Sequence, residues 1–283
     1  MGYSIDAFSA GEIGAMNSVV PLLTPLATGR TENLVIIDGD GAGRAVPKID
    51  EVTYAGVIPI SPVVLANNQS GDKALAIDLL VPEPSKAENV SRAVASTGVL
   101  GGSAGIGLYS SEDCYKLVDV LLAGTIGQAK DLGAYMTGAK RSTVDIIDFI
   151  SNSLKREATL IAQGTLMSVT ETTSGGFDVG EVAIKDNNTG NTYSIYNLNE
   201  NLIIYSSGSP NPVVAAPDSI CYYSDDTGRS FTNSTGDISP YLNKTISIIK
   251  VAALPKFAAD QAIIESFRAT IQSIGYAGKF PLD

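Results

Sequence analysis

The chain has 283 residues, a formal net charge of −11, 44% hydrophobic and 17% charged residues. That length can bury a substantial core, and an acidic surface without a Lys/Arg cluster repels phosphate backbones, so nucleic acid is excluded as an expected partner. There is no histidine and there are two cysteines, which excludes imidazole-based catalysis, histidine zinc sites and closed thiolate sites.

Any metal must therefore be a hard divalent cation on oxygen ligands, and proton transfer must use Asp, Glu, Lys or Tyr. No apolar run approaches the ~18 residues of a membrane span. The start, "MGYSIDAFSAGEIG", has no basic segment followed by an apolar one, so no secretory signal is read there. Cys114 and Cys221 lie far apart and are expected as buried free thiols in a reducing cytoplasm, not as a disulfide.

In chain order, "GEIGAMNSVVPLLTPLATG" places Ile13, Met16, Val20, Leu23 and Leu26 at helical spacing before Gly29. Pro21 and Pro25 inside it predict a kink or a break. "LVIIDGDGAGRAVP" follows, an apolar run from Leu34 to Ile37 that ends on Asp38 and Asp40 among Gly39, Gly41 and Gly43, then Arg44 and Pro47. Two readings stand for this segment. One is an acidic turn whose aspartates bond their own backbone. The other is a site at the carboxyl end of a buried strand, where open α/β sheets bind ligands, with glycines letting the backbone approach.

"KALAIDLL" and "AGIGLYS" read as further strands, separated by "PSKAENVSRAVASTGV", in which Ser85 and Glu88 have capping-box spacing. "VLGGSAGIGLYSS" lacks the Gly-Lys-Ser/Thr end of a phosphate loop and is read as a tight turn. Helices are predicted in "SEDCYKLVDVLLAG", "TIGQAKDLGAYMTGA" and "STVDIIDFISNSLKR". This alternation predicts an α/β N-terminal domain with a mainly parallel sheet over 1–156. From 157 to 252, short apolar runs broken by "TSGGF", "DNNTGN" and "DDTGR" predict a mostly antiparallel β C-terminal domain, a small barrel or sandwich. Residues 253–283 read as a helix and tail packing back on the first domain.

Five segments recur in a characteristic order: "EIGAMNSVVPLLTPLATG", "LVIIDGDGAGRAVP", "NENLII", "PDSICYY" and "GYAGKFPL". Together they resemble the S-methyl thiohydantoin desulfurase-like family. Its members share a Glu-Ile-Gly-Gly-x-Asn-Ala helix start and a Val-Asp-Ala-Asp-Gly-Met-Gly-Arg-Ala-Phe-Pro-Glu loop, and are often encoded beside hydantoinase and oxoprolinase subunits. The resemblance implies an α/β domain, a β-rich domain, a cleft between them, and cytoplasmic chemistry on a five-membered cyclic amide or thioamide.

By position the resemblance marks Glu12 and Asn17, then Asp38, Asp40, Gly43, Arg44 and Pro47, and in the second domain Asn199, Glu200 and Asn201. The expectation is that Asp38 and Asp40 activate water or hold a divalent cation. Arg44 would pair with an oxyanion or a substrate carboxylate, and Glu12 would be a second base or a helix cap. Asn17, Gly43, Asn199, Glu200 and Asn201 would contact the ring, although turn or strand-edge bonds serve equally for the two second-domain asparagines. The chain starts almost at the Glu-Ile-Gly element. The family's N-terminal segment is therefore expected to be missing or supplied by another chain. A homo-oligomer or hetero-assembly follows from that, with a non-catalytic subunit or a binding protein as the other functional readings.

Overall fold

The computed structural model describes residues 5, 7–29, 35–67, 75–100, 104–110 and 114–279, with side chains from 116 in the last stretch. They group into two compact units, Met1–Ile126 and Gly127–Asp283. No helix among the described residues is long and apolar enough to cross a membrane.

The first unit runs β1 (Ala7–Phe8), α1 (Val20–Thr28), β2 (Val35–Ile36), β3 (Gly39–Asp40), β4 (Val63–Asn67), β5 (Ala76–Leu79), α2 (Pro84–Ser96), β6 (Ala104–Leu108), α3 (Cys114–Val120) and β7 (Leu122–Ala123). A mainly parallel sheet is not what these residues build. Among the described residues the one parallel ladder is β1 on β2; β3 pairs antiparallel with β7, and β4 pairs antiparallel with β5 and β6. The physical reason is an insertion. Strands β5 and β6, joined through α2, run parallel to each other, as a strand–helix–strand reading expects. Strand β4, "VVLAN", lies between them, which makes a split βαβ arrangement. Its Val63 and Leu65 are fully buried.

The other expectations for this unit change in detail. Helix α1 starts at Val20, with Pro21 in the first turn, where a missing N–H leaves no bond unmade. Residues 15–19 are turns, so the prolines mark where the helix begins. Gly29 closes it at φ 66°. Pro21 and Pro25 face inward, whereas Leu23 and Leu26 are 52% and 68% exposed. The expected Ser85–Glu88 capping box does not form. The N-cap of α2 is Glu83 with Pro84 at the first position, and Glu88 turns into the protein instead.

The second unit begins with α4 (Thr125–Gly138) and α5 (Thr143–Asn152), whose N-terminus carries a Ser142–Asp145 capping box. Strands β8 (Ala158–Ser174), β9 (Phe177–Asp186), β10 (Thr192–Leu198), β11 (Glu200–Ser206), β12 (Val214–Ala215), β13 (Ser219–Ser224), β14 (Arg229–Phe231) and β15 (Thr245–Val251) follow. They form one antiparallel sheet in the order β12-β11-β10-β9-β8-β15-β13-β14. Period-2 patterning explains its two faces. Leu166, Ile184, Ile195, Ile204, Tyr222 and Ile248 share one core, while Tyr223, Ile249 and Val251 pack on Ile146 and Ile150 of α5. That second contact explains why α5 groups with the sheet rather than with the strands before it.

Turns follow their chemistry. Gly175 and Gly176, at φ 60° and 80°, close β8 onto β9, and Gly228, at φ 66°, turns β13 into β14. The sheet folds back on itself, bringing β11 against β13. Asn201 of β11 donates from Nδ2 to the Ile220 carbonyl of β13 (3.0 Å) and accepts from the Tyr222 hydroxyl (3.1 Å), linking strands far apart in the sheet order. The C-terminal helices α6 (Pro255–Ala258) and α7 (Gln261–Ser273) belong to this unit, with Phe257 and Phe267 buried edge to face. Cys221 is in no disulfide, and it is exposed where buried was expected, because it points away from the core that its neighbour Tyr222 enters.

Candidate functional site

Three segments of the first unit meet at the glycine-rich loop. Gly41 N donates to Gly11 O (3.0 Å), Thr53 N to Gly41 O (2.8 Å), and Ile13 N to Arg44 O (3.2 Å). Gly41 is required by this convergence. A Cβ there would lie 2.6 Å from Val52 Cβ, 2.6 Å from Tyr54 Cε1 and 2.9 Å from Gly11 O. Gly43 is in the left-handed region at φ 66°, which glycine adopts without strain.

The two loop aspartates separate. Asp40 is fully buried, and its Oδ2 accepts from Ala42 N (2.9 Å) and Gly43 N (2.7 Å). Asp38 is exposed. The expected buried strand before them is a two-residue element, with Val35 60% and Ile36 39% exposed. Leu34 lies outside the described residues. Asp40 is buried because Gly39 and Asp40 change partner and pair with Leu122–Ala123. The Asx-turn reading and the site reading thus describe the same residue.

Glu12 comes to this loop from the turn before α1. Its Oε2 accepts a short hydrogen bond from Val46 N, and its Oε1 accepts from Asn17 Nδ2 at 2.5 Å. Asn17 is exposed and orients the carboxylate. Burial pushes the Glu12 carboxyl above its ordinary range. Val46 N–H, the Asn17 amide and Arg44 oppose that shift, and the Asp40 charge adds to it. Arg44 is 7% exposed and donates from Nε to Ala45 O (2.8 Å). The loop thus gathers Glu12, Asn17, Asp40, Gly43 and Arg44.

Asn199, Glu200 and Asn201 have other surroundings. Asn199, at φ 59°, forms the tight turn between β10 and β11; its Oδ1 accepts from Asp178 N (2.9 Å). Glu200 is half-buried opposite Leu198. Asn201 is engaged in the β11–β13 link described above. As for a cation, Asp38 is exposed, and both sites of Asp40 Oδ2 are filled by N–H donors. Among the described residues no group of three or more Asp, Glu or Cys side chains gathers as metal ligands.

Two features escaped the sequence. Tyr54, 6% exposed, packs on Gly41, and burial together with the charges of Asp40 and Glu12 raises its phenol well above the usual range. Its signal was a lone aromatic in "EVTYAG", without periodicity. The second is a clasp. Glu88 of α2 accepts from Ile49 N (2.9 Å) and from Arg92 Nε (2.5 Å), and Arg92 donates to Pro47 O (2.7 Å). Helix α2 thereby holds the end of the loop. Arg92→Met leaves the Glu88 charge, 6% exposed, without this partner. It is expected to destabilise the protein by on the order of 2–3 kcal/mol, less than for a fully buried pair because Arg92 is 21% exposed. Urea unfolding reads this, and Glu88→Gln in the Arg92→Met background should recover part of it.

The class this defines is a two-unit α+β chain whose first unit frames an acid–arginine–phenol cluster with glycines. The chain belongs to the S-Me-THD-like family: the model of its N-terminal domain matches residues 1–76 and that of its C-terminal domain residues 82–264. The family's N-terminal domain is therefore represented in this chain. No curated protein matches. The crystal structure of a protein from Chromobacterium violaceum is similar at a TM-score of 0.78 and 24% identity, over 97% of this chain and 72% of that one. This likeness concerns the fold alone.

Proposed function

We propose that the chain is a hydrolase of a five-membered cyclic amide or thioamide, working at the Glu12–Asp40–Arg44 cluster. The observation that carries this reading is the half-buried Glu12 carboxylate, shifted toward neutral pH and oriented from two sides. Such a group is suited to general-base work, contributing about 10²–10⁴-fold. Glu12 takes a proton from water as the water oxygen bonds to the ring carbon. The carbonyl electron pair moves onto its oxygen, where Arg44 opposes the charge. The pair returns, the ring C–N bond breaks, and Glu12 gives its proton to the departing nitrogen. On an S-methyl thiohydantoin the water adds instead at the C=N carbon that bears sulfur, the C=N pair moves onto the ring nitrogen and returns as the C–S bond breaks, and Glu12 gives its proton to the departing methanethiolate. Asp40, bonded to Ala42 N and Gly43 N, keeps the loop and Arg44 in place.

The test is ring opening or thiol release from hydantoins and S-methyl thiohydantoins by the purified chain. No turnover of any of these rings sinks the proposal; tight binding without turnover would favour a binding protein. Two variants divide the aspartates. Asp38→Asn, at an exposed position, should keep kcat/KM within about threefold, the scale of a surface change. Asp40→Asn removes a charge that raises Glu12. The acid limb of its pH–kcat/KM profile should therefore move to lower pH, with activity lowered if Arg44 loses its placement.

A further inference from the structure

Tyr54 is a buried polar side chain that the scheme above does not use. The residue is 6% exposed, and its hydroxyl lies at the turn that carries Gly11. Its position is fixed from two sides. The ring lies against Gly41, and the hydroxyl would be 3.4 Å from a Cβ at Gly11. Gly11 is exposed, so the missing side chain leaves an approach to the hydroxyl from solvent. Gly14 does the same for Glu12, since a Cβ there would meet Oε1 at 3.2 Å. The phenol and the carboxylate are thus both reached past glycines of one turn.

We propose that the Tyr54 hydroxyl donates a hydrogen bond to the ring carbonyl oxygen of the cyclic amide while Glu12 acts on the attacking water. This rests on the hydrolase reading and names the acceptor that such a substrate must present. No proton leaves the phenol. As water adds, the carbonyl pair moves onto oxygen and is held by Tyr54 and Arg44, then returns as the ring C–N bond breaks and Glu12 gives its proton to the departing nitrogen. Burial, and then the charges of Asp40 and Glu12, disfavour phenolate, which keeps the group a donor across the working pH range.

Tyr54→Phe keeps the ring that packs on Gly41 and removes the donor alone. Two readouts are taken on the full chain: turnover of hydantoin-type rings and calorimetric binding of hydantoin. Removing one oxyanion donor is expected to lower kcat by about 10²–10³-fold. Loss of a neutral hydrogen bond to the ground-state carbonyl should raise the hydantoin Kd roughly threefold to tenfold. The melting temperature and the acid limb set by Glu12 should stay where they are. Equal hydantoin affinity in the two proteins, or no binding by the wild type, overturns the assignment. So does a kcat within threefold of wild type. If the wild type binds hydantoin but turns over no ring, the hydrolase reading fails, and the Kd comparison still decides the role of Tyr54.

Discussion

Replacing Glu12 with glutamine should lower kcat/KM by about 10²–10⁴-fold, the range for loss of a positioned general base, while the variant melts higher than the wild type at neutral pH. Both follow from one electrostatic fact. Burial, then the Asp40 charge, lifts the folded-state pKa of Glu12 above its ordinary value of 4.5, despite the bonds from Val46 and Asn17 and the attraction of Arg44. A carboxyl raised on folding binds its proton more tightly in the folded protein. Its contribution to stability is therefore full below pH 4.5 and declines as pH rises through the raised value. Glutamine has no such dependence, so the difference in melting temperature between variant and wild type should grow across that window and then level off. Glutamine can still accept from Val46 N–H, and Asn17 can turn its amide to match. Melting curves from pH 4 to 8 beside a kinetic profile test this. A variant that is fully active, or that loses stability only above pH 7, contradicts the argument.

The second large effect is steric. Gly41→Ala should destabilise the first unit by about 3 kcal/mol or more, at the upper end of overpacking. The added methyl has no free direction: Val52, Tyr54 and the Gly11 carbonyl all lie within 2.9 Å of it. Backbone must yield, and the bonds Gly41 N to Gly11 O and Thr53 N to Gly41 O, which bring the three site segments together, yield with it. Gly133→Ala is the matching control. It lies in α4 with nothing within 4 Å of the added atom, so helix propensity should stabilise the protein by roughly 0.8–1 kcal/mol. Urea titrations of both variants should shift the midpoint in opposite directions. An unchanged midpoint for Gly41→Ala would mean that the loop has room that the packing denies.

The contrast between the two halves shows what residue patterns convey. The antiparallel unit was legible because its turn glycines and period-2 runs are local signals, satisfied by neighbouring hairpins. The first unit was not, because its sheet is decided by a strand, Val63–Asn67, too short to announce itself beside two prolines. In the site, "DGDGAGR" declared a tight acidic loop, but not which aspartate would be buried. That depends on pairing of Gly39–Asp40 with Leu122–Ala123, a contact across more than eighty residues. Glu12, Asn17 and Arg44 were found through resemblance, not spacing, and their meeting is set by backbone bonds among Gly11, Gly41 and Thr53. Tyr54 had no local signature. The asparagines after Leu198 show the opposite lesson. A motif shared within a family also marks architecture, here a left-handed turn and a strand-to-strand amide bond.

The last strand of the second unit, Thr245–Val251, sits between Ala158–Ser174 and Ser219–Ser224. While a ribosome is still making the chain, that slot stays vacant, and two partial β-layers each present bare amides and carbonyls. Completion waits for a segment released about seventy residues after the long strand it joins, a high-contact-order closure that slows folding. Shortening the polypeptide ahead of residue 245 would thus do more than delete an end: it would leave the middle of the sheet open to self-association.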